Sequence, residues 1–269
     1  MTAQTQTNSG SADGELLRHD AGGIATLTLN RPAARNSLNG ALMRALKSEI
    51  AAIHQDETVR VVVIAASGPA FCAGHDMREL RAKPDRDRHE AAFSSSGRNM
   101  LSLQVLPQPV IASVQGVATA AGCQLVASCD LAVAAESARF ATPGVDIGLF
   151  CSTPQVALSR NVGRKAALQM LLTGESIDAR TALLWGLVNR VVADADLAGE
   201  TSALARVLAS KSRHTLALGK AAFYRQIEMT AEDAYAYTSR VMAENMMARD
   251  AEEGLDAFLE KRKPVWSDK

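Results

Sequence analysis

Ala120-Ala121-Gly122-Cys123-Gln124-Leu125 is the stretch of this 269-residue chain that decides both its fold and its site. It follows a strand-like run, Val110-Ile111-Ala112-Ser113-Val114, and it opens a helix. The first turn of a helix has backbone N–H groups without acceptors, and the helix dipole adds positive charge there. Such N–H groups can stabilise an oxyanion that develops during a reaction. Small residues are equally typical of close packing between a strand and a helix, so the pattern alone leaves both interpretations open.

Strand and helix patterns alternate on the N-terminal side of this stretch. Gly23–Leu29 alternates apolar and polar residues, and Val59–Ala66 is an apolar run typical of a strand buried on both faces. Asn39 can cap a helix that presents one apolar face, and a second long helix is expected over about residues 85–106. The repeated order of strand and helix predicts an α/β core with right-handed crossovers.

The chain divides into three predicted regions. Residues 1–14 are rich in Thr, Ser and Gln and are expected to be a disordered leader. Residues 15–205 are expected to form the α/β body, although the pattern is almost wholly helical after Thr153. Residues 206–269 have little strand propensity and are expected to form a helical C-terminal module that mediates oligomerisation.

Composition excludes several classes of protein. The chain is 47% hydrophobic and 22% charged, which fits a large globular domain. Its 29 basic and 29 acidic residues give a formal net charge of zero, so no global field favours a nucleic acid or an anionic membrane. The chain has no apolar run that could span a bilayer, and neither a Gly-x-Gly-x-x-Gly motif nor a Walker loop. A dinucleotide-binding or P-loop protein is therefore not supported.

The cysteines are Cys72, Cys123, Cys129 and Cys151, and their spacing is not that of metal ligands. We expect them to be reduced, buried thiols of an intracellular protein that has no metal site. The N-terminal segment has neither the apolar core of a secretory signal nor the arginines of a transit peptide, which favours a cytoplasmic location.

Several strings in their order along the chain resemble the enoyl-CoA hydratase/isomerase (crotonase) superfamily. They are Leu29–Leu38, Phe71–Asp76, Ala121–Leu125, Leu172–Gly174 and Ala257–Pro264. The resemblance implies a crotonase (ClpP-like) spiral of ββα turns with a helical C-terminal module. It also implies a homotrimer or a dimer of trimers, and an acyl-CoA thioester as substrate with no separate cofactor.

The same resemblance assigns the site residues. The backbone N–H groups of His75 and Ala121 are expected to form the oxyanion hole that stabilises a thioester enolate. The first two family loops, residues 30–38 and 72–77, are expected to hold the nucleotide of CoA, and Arg31 and Arg35 could meet its phosphates. The residues expected to bind substrate are Ala34, Arg35, Ala73, Gly74, His75, Asp76, Met77, Gly122, Phe258 and Lys261.

Both catalytic glutamates of the family's hydratases are replaced. By the same match they fall on Gln124 and Gly144. A glutamine amide can hold water but does not act as a base near neutral pH, and glycine has no side chain. Since the loss of one general acid or base costs about 10²–10⁴-fold in rate, little hydratase activity is expected. If only this pair is missing, the double variant Gln124→Glu with Gly144→Glu is expected to create such activity, and neither change alone is expected to suffice, because water activation and proton delivery are separate tasks.

Three side chains are candidates for proton transfer in place of the glutamates. Asp146 shares a face with Gly144 if that segment is extended, although it could equally cap a turn. Cys151 could be a nucleophile, a weak acid or a packing residue, and the His75 imidazole could carry a proton, meet CoA or make a structural bond. Two hypotheses follow from the sequence: an acyl-CoA enzyme of this superfamily, or a catalytically weak acyl-CoA-binding or regulatory protein.

Overall fold

A computed structural model describes residues 14–269 of the chain. The predicted leader, residues 1–14, lies outside the described residues except for Gly14. The strands of the described part are β1 (Leu16–Ala21), β2 (Ile24–Leu29), β3 (Val61–Ala66), β4 (Val110–Val114), β5 (Val117–Thr119), β6 (Leu131–Ala135), β7 (Arg139–Ala141), β8 (Ile177–Asp178) and β9 (Arg190–Val192). Its helices are α1 (Gly40–Gln55), α2 (Met77–Ala82), α3 (Arg86–Val105), α4 (Ala121–Ser128), α5 (Pro154–Asn161), α6 (Arg164–Thr173), α7 (Ala179–Trp185), α8 (Leu197–Ala209), α9 (Arg213–Gln226), α10 (Ala231–Met246) and α11 (Arg249–Leu259).

Two sheets form the framework. The larger has the order β1-β2-β3-β4-β6-β9, and every pair in it is parallel except the β1–β2 hairpin. The smaller has the order β5-β7-β8, in which β5 and β7 are parallel. The first four residues of β3 are fully covered, as the continuous apolar run predicted. The helices that join successive parallel strands make this an α/β fold.

The predicted long helices pack on the large sheet. In α1, Leu42, Leu46, Ile50 and Ile53 are buried, and the side chain of Asn39 accepts the Leu42 N–H at 2.8 Å as the predicted cap. The predicted helix over residues 85–106 is α3, which begins one residue after its cap Asp85. No helix within residues 14–269 has the length and apolar character needed to cross a membrane.

The C-terminal helices fold back onto the core. The ammonium of Lys220 in α9 donates to the Asp130 carboxylate at 2.6 Å, between α4 and β6. Trp266 donates its indole N–H to the carbonyl of Ser210 at 2.8 Å. The predicted boundary between residues 205 and 206 falls inside α8. That helix packs on β3, β4 and β6, so the break between body and module moves to its end at Ala209.

Candidate active site

The two predicted CoA loops lie side by side and hydrogen-bond to each other. Leu38 donates its N–H to the Gly74 carbonyl at 2.8 Å and accepts from the Asp76 N–H at 3.1 Å. Ala73 donates to the carbonyl of Arg35 at 3.0 Å, and Arg35 itself is exposed. The pairing of residues 30–38 with residues 72–77 therefore fixes the position of His75 relative to the first loop.

A buried asparagine, Asn36, holds the first loop in shape. It has a φ of 54° and is fully buried. Its side-chain oxygen accepts the Arg31 N–H at 2.8 Å, and its amide donates to the carbonyls of Ser67 and Ala70 at 2.8 Å each. Asparagine tolerates the left-handed conformation better than most residues, which explains its place at this turn.

Arg31 is occupied by partners within the chain. Its guanidinium contacts the Asp76 carboxylate at 3.1 Å and the Glu15 carboxylate at 3.1 Å, and it donates to the Ser37 carbonyl. A CoA phosphate at Arg31 would therefore compete with these two carboxylates, and the contact stays a prediction. Burial opposes ionisation of Asp76, but Arg31 and the N–H groups of α2 hold the pKa of this carboxyl below its usual value.

The turn that opens α4 has an unusual backbone. Ala120 has φ 50° and ψ −116°, a conformation that costs a residue with a side chain of the order of 1–3 kcal/mol. Its N–H donates to the Ala141 carbonyl at 2.9 Å, and its carbonyl accepts the Gln124 N–H at 3.0 Å. These bonds on both sides hold the strained residue and orient the Ala121 N–H at the helix start.

The second loop approaches this turn at van der Waals distance. Cys72 bonds to β5 through its N–H and its carbonyl, at 3.0 Å and 2.9 Å. At Gly74, which has φ 89°, an added Cβ would lie 3.0 Å from the Ala120 Cβ and 3.3 Å from the Ala121 nitrogen. Within residues 14–269 neither the His75 N–H nor the Ala121 N–H has an acceptor. Two unbonded donors on adjoining backbones are the arrangement that an oxyanion hole requires.

Gly122 permits this approach, and its replacement tests it. A Cβ at Gly122 would lie 2.1 Å from the Cys72 carbonyl oxygen, which is backbone. We expect Gly122→Ala to lower the free energy of unfolding by at least about 1–3 kcal/mol, because the two loops must separate. Urea unfolding measures this. Gly97→Ala in α3 is the matched control, since its Cβ would meet nothing within 4 Å; equal stability of the two variants would contradict the close approach.

A cavity of about 380 Å³ lies beside the two donors. Its lining residues are Ala73, His75, Met77, Leu80, Phe93, Thr119, Ala120, Ala121, Pro143, Gly144, Ile147, Leu149, Phe150, Cys151, Ser152, Thr153 and Pro154. Within the described chain this wall contains no carboxylate, and its only titratable side chains are those of His75 and Cys151. The cavity is therefore mostly apolar, with two unbonded backbone N–H groups at its edge.

The cavity brings together only part of the predicted set. Ala73, His75, Met77, Ala121, Gly144 and Cys151 line it. The predicted residues that do not line it are Ala34, Arg35, Gly74, Asp76, Gly122, Gln124, Asp146, Phe258 and Lys261. Phe258 on α11 is 80% exposed, and Lys261 follows that helix with φ 58°. Ile147, Leu149 and Phe150 also line the cavity, although they were not among the predicted site residues. The available signal in the sequence was the cluster of apolar residues in a loop.

The His75 imidazole lies in an apolar setting. Its ring meets the Phe93 ring edge-on, with 5.3 Å between the ring centroids. Its Nε2 is buried and has no hydrogen-bond partner among the described residues. Burial lowers the pKa of this imidazole below its usual value, so the ring is neutral near pH 7.

The thiol of Cys151 stands beside Gly144. A Cβ at Gly144 would lie 3.0 Å from the Cys151 sulfur and 2.8 Å from the Leu149 carbonyl oxygen. Burial raises the pKa of the Cys151 thiol, although a hydrogen bond from the Gly144 backbone opposes the change. Any side chain at Gly144 would thus force the Leu149 backbone or the Cys151 thiol to shift. This geometry argues against a simple gain of hydratase activity in Gln124→Glu with Gly144→Glu.

Asp146 does not replace the missing glutamates. The segment Pro143–Ile147 is a 3₁₀ turn and not the extended strand in which residues 144 and 146 would share a face. An added Cβ at Gly174 would lie 3.1 Å from Oδ1 of Asp146, so this carboxylate faces the end of α6. The interpretation of Asp146 as a substitute acid or base is corrected, and the alternative of a turn carboxylate fits the structure.

Comparisons with known proteins identify the family of this chain. A family model described as enoyl-CoA hydratase/isomerase matches residues 19–269. The human protein named enoyl-CoA hydratase domain-containing protein 3, mitochondrial, is 50% identical over 245 residues, which are 91% of this chain and 81% of that protein. The solved structure of that human protein superposes with a TM-score of 0.91 at 49% identity, over 93% of this chain and 99% of that one. A Mycobacterium smegmatis enoyl-CoA hydratase structure gives a TM-score of 0.93 at 55% identity, over 94% and 99% of the two chains.

These findings confirm the predicted fold class, an α/β crotonase spiral. The segments Ala121–Leu125 and Phe140–Pro154 resemble the enoyl-CoA hydratase domain-containing protein 3 type, and the human relative of that name supports this resemblance. The match of the family model covers nearly the whole described chain, and the fold, the order of the family strings and the relatives all agree. The chain belongs to the enoyl-CoA hydratase/isomerase family.

Proposed function

We propose that this protein binds acyl-CoA thioesters and stabilises the thioester enolate through the backbone N–H groups of His75 and Ala121. The observation that carries the proposal is the pair of unbonded donors on adjoining backbones at the edge of an apolar cavity. Both donors are fixed before substrate arrives, because the strained Ala120 and the paired loops hold them. Preorganised donors of this kind stabilise charge that develops on a carbonyl oxygen.

Enolate formation also needs a group that accepts the α-proton. His75 is the only basic side chain of the described chain that lines the cavity, and its imidazole is neutral near pH 7. In the proposed reaction a ring nitrogen takes the α-proton while the carbonyl oxygen gains charge; the imidazolium exchanges this proton with solvent and then protonates the α-carbon as the enolate collapses. The Cys151 thiol stays protonated near neutral pH because burial raises its pKa, so it is a weak acid there and not a base.

Exchange of the α-protons of butyryl-CoA in D₂O tests this reaction directly. We expect deuterium at the α-carbon by mass spectrometry, and a rate about 10²–10⁴-fold lower for His75→Ala, which keeps the backbone N–H but loses the imidazole. Since burial lowers the pKa of His75, exchange should persist down to pH values below the ordinary histidine pKa of about 6.5 and fall only in more acidic solution. Exchange that is equally fast in His75→Ala would remove the imidazole from the mechanism.

A second candidate function is acyl-CoA binding with little catalysis. The absence of any carboxylate from the described cavity wall favours it, as do Gln124 and Gly144 at the glutamate positions. The same experiment separates the candidates. Calorimetry that detects butyryl-CoA binding, together with no deuterium incorporation over background, would identify a binding or regulatory protein.

The proposed partner is the acyl-CoA alone, with no cofactor, no nucleic acid and no membrane. We also propose a homotrimer or a dimer of trimers, supported by exposed apolar side chains on the C-terminal helices such as Tyr235, Met242 and Met247. Light scattering on the purified protein measures the assembly.

A cytoplasmic location stays our proposal from the sequence, but it fits poorly with the vertebrate relatives, which are named as mitochondrial proteins.

A further inference from the structure

The imidazole of His75 packs against the ring of Phe93 on α3. The two rings meet edge-on, with 5.3 Å between their centroids and 83° between their planes. Aromatic pairs favour this edge-to-face arrangement at such separations. Nε2 of His75 is buried and has no hydrogen-bond partner within residues 14–269. The orientation of the imidazole therefore depends on packing against Phe93 rather than on a hydrogen bond at this nitrogen.

The packing of α3 determines where the Phe93 ring lies. The buried residues of this helix are Ser96, Asn99, Met100 and Leu103. Phe93 lies one turn before Ser96 on the same face of the helix. There the face leaves the core and reaches the cavity, so Phe93 is half-buried and belongs to the cavity wall. The anchored part of α3 therefore holds the Phe93 ring against His75, and the helix does not need this ring to stay packed.

The other elements around the His75 ring bring little charge to it. The charged residues of α2 are exposed, and the α2 residues in the cavity wall are Met77 and Leu80. The Asp76 carboxylate is paired with Arg31 at 3.1 Å. Within the described chain, the remaining titratable side chains that face this region are His89 on α3 and Cys151 in the cavity wall. Burial rather than a charged partner therefore governs the imidazole and lowers its pKa.

We propose that Phe93 is a positioning residue, whose ring fixes the orientation of the His75 imidazole beside the cavity and excludes water from it. This inference rests on the proposed function and deepens it, because it concerns the side chain that takes the α-proton there. A base that is held dry and in one orientation needs no desolvation before it meets the α-carbon. Removal of the Phe93 ring should therefore admit water to the imidazole and free it to rotate.

NMR titration of the histidine ring C–H signals in the full chain tests this role, with His75→Ala to identify the His75 signal. In the unvaried protein the pKa of His75 should lie below the ordinary histidine value of about 6.5. In Phe93→Ala it should rise toward that value, because water then solvates the protonated ring. Phe93→Leu keeps apolar bulk over the ring and should hold the pKa near that of the unvaried protein.

Exchange of the α-protons of butyryl-CoA in D₂O gives a second readout. Phe93→Ala should lower the exchange rate by up to about 10²-fold, as expected when a reacting group is misplaced. The pH below which exchange falls should also move upward together with the pKa of His75, which a merely structural residue would not cause. Butyryl-CoA binding without exchange in the unvaried protein would overturn the proposed reaction, while the titration still decides whether Phe93 keeps the imidazole dry.

Phe223→Ala is the matched control. Phe223 on α9 meets Tyr224 edge-on in nearly the same geometry, with 5.5 Å between the ring centroids and 82° between the planes. Neither of these two residues lines the cavity beside His75. The control therefore removes an equivalent aromatic contact and should leave the titration of His75 unchanged. A His75 pKa that is the same in Phe93→Ala as in the unvaried protein, or that rises equally in Phe223→Ala, would overturn the positioning role of Phe93.

Discussion

Crotonyl-CoA is expected to be hydrated by this protein at least about 10²–10⁴-fold more slowly than by a hydratase with both glutamates. Hydration needs one group to activate water and another to deliver a proton to the α-carbon. Gln124 and Gly144 occupy the two positions, and the described cavity wall contains no carboxylate. Asp146 faces the end of α6 instead. The two backbone N–H groups proposed as the oxyanion hole remain, so we expect the deficit to lie in proton transfer and not in polarisation of the thioester.

Loss of the enoyl-thioester absorbance measures this rate. A two-glutamate hydratase assayed in parallel gives the reference, and butyryl-CoA titration shows that the sample binds thioester. The α-proton exchange of butyryl-CoA serves as an internal control, because it needs the oxyanion hole but no water activation. A turnover number for hydration in the ordinary enzyme range of roughly 1–10³ s⁻¹ would contradict the prediction and show that another group activates water.

Local patterns predicted those parts of the fold that depend on local interactions. The apolar face of α1, the Asn39 cap and the buried strand β3 were all predictable, because periodicity and capping act within a few residues. The Asp76 side chain caps α2, another local interaction, by accepting the N–H groups of Arg78 and Glu79. The turn before α4 was predictable as a turn, but the left-handed conformation of Ala120 was not, because alanine rarely adopts it.

Elements that depend on distant partners were not predictable. Strand β1 contains Arg18, His19 and Asp20 and does not look like a strand; its pairing with β2 and the bonds of Arg18 to Glu49 and Asp56 stabilise it. Strands β5 and β8, of three and two residues, exist only through their pairing with β7.

The site residues show the same difference between features set by local sequence and features set by distant contacts. The backbone donors His75 and Ala121 were assigned from motifs that span adjacent residues. The pairing of Arg31 with Asp76 and the contact of Asp146 with Gly174 join residues far apart in sequence.

Lys220→Met is expected to lower the free energy of unfolding by about 3–5 kcal/mol. The Lys220 ammonium donates to the Asp130 carboxylate at 2.6 Å and to the carbonyls of Leu103 and Gln108 at 2.8 Å and 2.9 Å. The Lys220 and Asp130 side chains are only 8% and 16% exposed. Methionine fills a similar volume but leaves the two carbonyls without their donor and the nearly buried carboxylate without its cation, although the Val110 N–H and the Tyr224 hydroxyl still donate to that carboxylate. Urea unfolding followed by circular dichroism measures the loss.

A double variant decides whether the effect comes from the unpaired charge. Burial raises the pKa of Asp130 and lowers that of Lys220 even against their mutual attraction, which means that desolvation outweighs the pairing. Asp130→Asn added to Lys220→Met removes the orphaned charge and should recover about 0.5–3 kcal/mol as coupling free energy.

The exposed pair of Arg160 and Glu228, 3.0 Å apart, gives the matched control. Arg160→Met should cost less than about 1 kcal/mol, because solvent screens an exposed ion pair. If Lys220→Met lowered the free energy of unfolding no more than Arg160→Met, the buried pair would not be the interaction that holds α9 on the core. If instead the double variant were as unstable as the sum of its single changes, the loss would come from packing around the α9 side chains. Recovery of stability in the double variant would show that the Lys220–Asp130 pair and the carbonyls around it hold α9 on the core.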